Sequence, residues 1–172
     1  SSFIHLCDDA EFDKQVIVKY MRPEKKHDLD NEIRILSSVK DKGLIHTIGI
    51  LDVVVEDEKT FLILEYANGG DLLGKILEAA AANKKLRVKE PFEMVMMAIA
   101  ELHSHRIAHC DIKPDNFFLH NVDGGTYFKI GDFGFSQYIP KGMAVSRSLG
   151  TLKYMAPEVY NIDYVREKRP HA

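Results

Sequence analysis

Two acidic motifs constrain this chain more than any other feature, because a reversal of the backbone lies between them. The first is His109-Cys110-Asp111-Ile112-Lys113-Pro114-Asp115-Asn116 and the second is Asp132-Phe133-Gly134. Phe117-Phe118-Leu119 and Tyr127-Phe128-Lys129-Ile130 read as short apolar strands. Between them, Asn121-Val122-Asp123-Gly124-Gly125 holds the Asp and Gly residues that a tight hairpin turn favours. A hairpin returns the chain to its start. It places Asp132 beside Asn116, where two oxygen ligands distant in sequence can share one divalent cation.

Upstream, Gln15-Val16-Ile17-Val18-Lys19-Tyr20 is a β-branched run containing Lys19, and the next helix carries Leu29, Ile33, Leu36 and Val39 at helical spacing. Glu32 falls inside that apolar face. A buried unpaired carboxylate is costly, so Glu32 needs a partner, and Lys19 is the natural one. Thr60-Phe61-Leu62-Ile63-Leu64-Glu65-Tyr66 reads as a buried strand broken at Gly69-Gly70, after which Asp71 can cap a helix. Between Pro91 and Arg106, the residues Phe92, Val95, Met96, Ile99, Leu102 and His103 form a helix face expected to look inward. Met94, Met96 and Met97 are expected to pack there. His103, His105 and His109 match no common zinc spacing.

In this order and at this separation, the motifs resemble those of the protein kinases, over residues 1 to about 160. The resemblance implies an α+β fold: a small β-rich N-lobe over residues 1–66 and an incomplete helical C-lobe over residues 67–172. It implies that ATP and Mg²⁺ are the cofactors and a protein is the substrate. In that reading Asp111 orients the substrate hydroxyl or accepts its proton, Lys113 steadies the γ-phosphate, and Asn116 and Asp132 hold Mg²⁺. Lys19, held by Glu32, pairs with the α/β-phosphates. Leu64 is the gatekeeper, the backbone of Glu65 and Ala67 meets the adenine edge, Phe118 forms its floor, and Asp71 reaches the ribose or only caps its helix. His109 is a pivot under Phe133. Lys113 and the Gly150-Thr151-Leu152-Lys153-Tyr154-Met155-Ala156-Pro157-Glu158 segment take the serine/threonine form, with Thr151 contacting Asp111 and Lys113.

The chain also departs from the family. No glycine precedes Gly43, and Ile4 aligns with the third glycine of the glycine-rich loop, where a side chain obstructs the approach to phosphate. Ile17 stands where an alanine is usual, and with Phe118 it narrows the adenine slot, so weak nucleotide affinity is expected. Cys110 replaces the arginine that reads activation-loop phosphate, which makes Ser146 and Ser148 poor candidates for an activating modification. After Glu158 the chain lacks the helices of the C-lobe base, so apolar groups of that lobe are expected to be exposed, as in a fragment or a non-catalytic product.

Composition bounds the rest. The 172 residues are 45% hydrophobic and 28% charged, enough for one domain or two small lobes. Lys and Arg number 23 against 26 acidic residues, and a net charge of -3 makes no case for nucleic acid. Arg166 to Arg169 reads as a solvated basic tail. No apolar run reaches membrane-spanning length. Cys7 and Cys110 fit no metal pattern and point to a reducing compartment, the cytoplasm or the nucleus. The stretches Met21 to Asp30 and Ala79 to Lys89 read as surface connections. Nothing sets the oligomeric state. Beside the serine/threonine kinase stand two alternatives: a pseudokinase or scaffold, supported by Ile4 and Ile17, and a small-molecule phosphotransferase, disfavoured by the Asp132 to Glu158 segment.

Overall fold

The computed structural model describes residues 2–21, 26–57, 59–85, 89–143 and 150–160. Strands β1 (Ser2–Asp9) and β2 (Lys14–Met21) pair antiparallel, and helix α1 (Lys26–Asp41) follows. Strands β3 (Ile50–Glu56) and β4 (Lys59–Glu65) complete an antiparallel sheet in the order β1-β2-β4-β3. Then come α2 (Leu72–Ala81), α3 (Lys89–Ser104), β5 (Ile107–Ala108), β6 (Phe117–Val122), β7 (Gly125–Ile130), β8 (Gln137–Tyr138) and α4 (Pro157–Tyr160). The fold is α+β, with a small N-terminal sheet and a helical remainder.

The hairpin forms where the sequence places it. β6 and β7 pair from Phe117 opposite Ile130 to Val122 opposite Gly125, leaving Asp123-Gly124 as the turn. Gly124 has φ +99, a conformation that a side chain at this tight reversal would resist. The segment before β3 runs along the hairpin edge: Ile130 N–H donates to the His46 carbonyl (2.8 Å) and Ile48 N–H to the Ile130 carbonyl (2.9 Å). From the other side, the Glu101 carboxylate accepts from the backbone N–H groups of His46 (3.0 Å) and Ile45 (3.3 Å). One core results. It joins Leu29, Leu36 and Val39 of α1 and Leu62 and Leu64 of β4 to Leu102, Phe117, Ile130 and Phe133.

Two expectations need correction, and between them stands a strand, Ile50–Glu56, about which the sequence made no statement. Met21 to Asp30 is not a plain connection, because β2 extends to Met21 and α1 begins at Lys26. The first turn of α1 is polar, so its apolar periodicity starts only at Leu29. Ile50–Glu56 is a strand that no alternation announces, since Val53, Val54 and Val55 run consecutively and only Ile50 is buried. The second correction concerns α3. Ala98 and Leu102 are buried, and Met94, Val95 and Ile99 pack on the core. Phe92, Met96 and Met97 are 62%, 47% and 55% exposed, and His103 is exposed too. The helix is apolar on more than one stripe, and its packing on β5 and β7 selects the stripe through Ala98 and Leu102. Ser146, Ser148 and the Arg166 to Arg169 tail lie outside the described residues.

Candidate active site

Alternation along β2 turns Ile17 and Lys19 to the same face, above a cleft, and α1 brings Glu32 to meet them. Lys19 Nζ lies 2.6 Å from Glu32 Oε1 and 3.2 Å from Asp132 Oδ1. Glu32 is only 1% exposed. Burial alone would lower the Lys19 ammonium, but the two carboxylates outweigh it and hold its pKa above the ordinary value. Burial pushes the Glu32 carboxyl up, against the opposing pull of Lys19. The second oxygen, Glu32 Oε2, is buried with no hydrogen-bond partner among the described residues.

Asp132 reaches this ion pair in a left-handed conformation, φ 59, directly after the hairpin. Gly131 N–H donates to the Asn116 carbonyl (2.9 Å), which joins the two ends of the hairpin. Gly131 is required there, since a Cβ would come within 2.9 Å of the Phe118 ring. His109 supports the join from below. Its Nε2–H donates to the Gly131 carbonyl (2.8 Å), its Nδ1 accepts the Asp111 N–H (3.3 Å), and its ring meets Phe133 edge-on at 5.2 Å. These bonds assign the neutral Nε2–H tautomer. Burial lowers the His109 pKa, with the Gly131 carbonyl pulling the other way.

Asp111 is buried, with both oxygens engaged. Oδ1 accepts the Thr151 N–H (2.6 Å), while Oδ2 accepts Lys113 Nζ (2.7 Å) and Asn116 Nδ2 (3.2 Å). Lys113 Nζ also donates to Thr151 Oγ1 (2.9 Å). Burial would raise the Asp111 carboxyl, but the bonds from Lys113 and Thr151 prevail and hold it below the usual range. The Lys113 ammonium, which burial would lower, is instead raised, chiefly by Asp111. Such a carboxylate is ionised at neutral pH and fixed in direction, as a proton acceptor must be.

A cleft of about 420 Å³ opens beside Lys19, Asn116 and Asp132; Ile4, Ile17, Leu64, Ala67, Asp71 and Phe118 line the rest of it, and Asn116 joins it to Asp111. The Ala67 N–H has no hydrogen-bond acceptor among the described residues. Asp71 caps α2 through the Gly74 N–H (2.8 Å) while lining the cleft, so one side chain stands at both of its expected places. Glu65 holds a feature that sequence reasoning missed: its carboxylate accepts from Lys129 Nζ (2.9 Å) and Gly49 N–H (3.2 Å), with His120 Nε2 at 3.8 Å.

A family model for the protein kinase domain matches residues 1–169. The chain belongs to the protein kinase family. It is 32% identical over 160 residues to a calcium-dependent protein kinase 6 of Plasmodium berghei, covering 91% of this chain and 10% of that protein. It is 33% identical over 137 residues to a carbon catabolite-derepressing protein kinase of Secale cereale (80% and 26%) and 34% identical over 129 residues to an ovarian-specific serine/threonine-protein kinase of Drosophila melanogaster (75% and 26%). The chain spans between a tenth and about a quarter of the length of these relatives.

The kinase's departures fall on its cleft. Ile4 pairs directly with Lys19 across β1 and β2 and lines the cavity while remaining 60% exposed. Ile17 and Phe118 line it as well. Cys110 has φ 65, and its thiol, raised by burial and then by Asp111, contacts the Ala108 carbonyl at 3.5 Å. A Cβ on Gly150, at φ +117, would collide with the Cys110 carbonyl.

Among the described residues no group of three or more His, Cys, Asp or Glu side chains is placed to hold a metal alone. That donor set suits Mg²⁺, which takes phosphate oxygens and water besides one or two carboxylates. Asn116 commits its NH₂ to Asp111, which leaves its amide oxygen as a ligand, and the Asp132 side chain is 45% exposed at the cleft. The residues present fit the ion. No helix among the described residues is long and apolar enough to cross a membrane.

Proposed function

We propose that this kinase domain transfers the γ-phosphate of ATP to serine or threonine hydroxyls of a protein substrate. The observation carrying the reading is the Asp111, Lys113 and Thr151 knot, which fixes an ionised carboxylate beside a lysine and is tied to the cleft through Asn116. Asp111 orients the substrate hydroxyl and accepts its proton, and Lys113 offsets charge on the transferring group. Lys19, clamped by Glu32, binds phosphate oxygens. Asn116 and Asp132 would hold Mg²⁺, which would supply positive charge to the phosphates. The backbone of Glu65 and Ala67 takes the adenine edge, Phe118 its face, and Asp71 the ribose.

Residues 1–66 act as the N-lobe and residues 67–172 as the C-lobe part. The serine/threonine preference is supported by Lys113 with Thr151 and by the printed name of the Drosophila relative. The cysteines, both unpaired, suit the cytoplasm or nucleus. Ile4 beside Lys19 favours a second reading, a scaffold that binds nucleotide poorly. The test is Mg²⁺-dependent transfer of ³²P from ATP to a Ser/Thr-containing protein, with Asp132→Asn as control. Transfer lost in the control supports the enzyme. Weak nucleotide binding without transfer supports the scaffold.

A further inference from the structure

Away from the cleft, a second cavity of about 290 Å³ opens between the end of α3, strand β5 and the segment after β8. Its ionisable side chains are His103, Arg106 and Lys141, and no carboxylate lines it. Neither Arg106 nor Lys141 forms an ion pair among the described residues. This is unusual in a chain where acidic residues outnumber basic ones 26 to 23. The C-terminal dipole of α3 accounts for cations at His103 and Arg106 without any ligand. It does not account for Lys141, which comes from another segment.

Arg106 adds a second observation. Its φ is 59, in the left-handed region, where a residue with a Cβ is strained and glycine is relaxed. The side chain is exposed, so packing does not require an arginine there. A guanidinium fork and an ammonium in the lining of one cavity are suited to a tetrahedral dianion. The volume lies at the bottom of the range for small-molecule sites, about 300 to 1,000 Å³. Ile107, Ile139, Pro140 and Met143 supply apolar walls.

We propose that this cavity binds a phosphate monoester dianion, held by Arg106 and Lys141 with His103 as a third donor. The apolar walls favour the phosphorylated side chain of a protein segment over free orthophosphate.

The test is fluorescence anisotropy of a labelled phosphoseryl peptide on the full chain, with its unphosphorylated twin as blank and orthophosphate as competitor. Phosphate-dependent binding is expected, weakened at least tenfold in both Arg106→Gly and Lys141→Gln. Lys19→Met should leave it unchanged, which separates this site from the cleft. Displacement by orthophosphate at concentrations similar to the peptide would assign the site to the free anion; a tenfold preference for the peptide assigns it to a protein segment. Arg106→Gly should also raise the melting temperature without ligand, because glycine relieves the backbone. If it lowers that temperature, Lys141→Gln alone decides, and unchanged binding there overturns the site. No phosphate-dependent binding up to about 10 mM, or loss in Lys19→Met alone, overturns it equally.

Discussion

Asn116 lines the cleft and ties it to a floor in which Asp111, Lys113 and Thr151 bind one another and both oxygens of the Asp111 carboxylate have partners. The roof is different: Ile4 and Ile17 project apolar groups from β1 and β2 beside one polar group, Lys19. The floor is specified by hydrogen bonds that only certain residue types can make, so substitution there breaks a network. The roof is specified by volume, where substitution changes degree. On the proposed function, chemistry would be concentrated below, and control of nucleotide access above.

The comparison breaks most sharply at Asp111. Asp111→Asn keeps the shape but removes the proton acceptor and turns an NH₂ toward N–H donors, so phosphate transfer should fall about 10²- to 10⁴-fold and the melting temperature should fall as well. Transfer within threefold of the parent would show that the floor does not carry the reaction. Glu32→Gln comes next, since it leaves Lys19 with Asp132 as its remaining carboxylate. A fall in kcat/KM of about tenfold or more is expected in steady-state assays, because charge-assisted bonds are about twice as strong as neutral ones.

Ile17→Ala tests the roof and should act in the opposite direction. Opening the slot should tighten nucleotide binding about threefold to tenfold by calorimetry, and no gain would mean that roof volume does not limit affinity. The smallest effect is on stability against pH. His109 is held below its ordinary pKa, so the unfolded chain takes up a proton near pH 6.5 that the folded chain refuses. Its contribution is present above about pH 6.5 and is lost as pH falls from there through the folded value. Thermal melts should show that decline in the parent and a shallower one in His109→Phe.

The same contrast explains what was legible in the sequence. Glu32 on an apolar stripe demands a nearby cation, and an Asp-Gly turn between apolar strands demands a hairpin; local rules with one solution place both. Glu65 with Lys129 was not legible, because each residue read alone is an ordinary solvated charge and only the tertiary fold joins positions 64 apart. The inward face of α3 was misjudged for a related reason. Its apolar residues offer two stripes, and the choice belongs to the strands it packs on, not to the helix. The roof was legible as a departure at Ile4 and Ile17, since glycine and alanine positions are defined by the space they leave.

Cys110 and Asp132 both adopt positive φ, one next to Asp111 in sequence and the other within ion-pair distance of Lys19. Each costs of order 1 to 3 kcal/mol and persists only when its surroundings enforce it. A segment of this kind keeps its shape only through the hairpin and α3 around it. Where such interactions are absent from the folding transition state, they govern how slowly the native chain opens and hardly affect how fast it forms. The catalytic loop would then be the part of this domain whose integrity is a matter of lifetime.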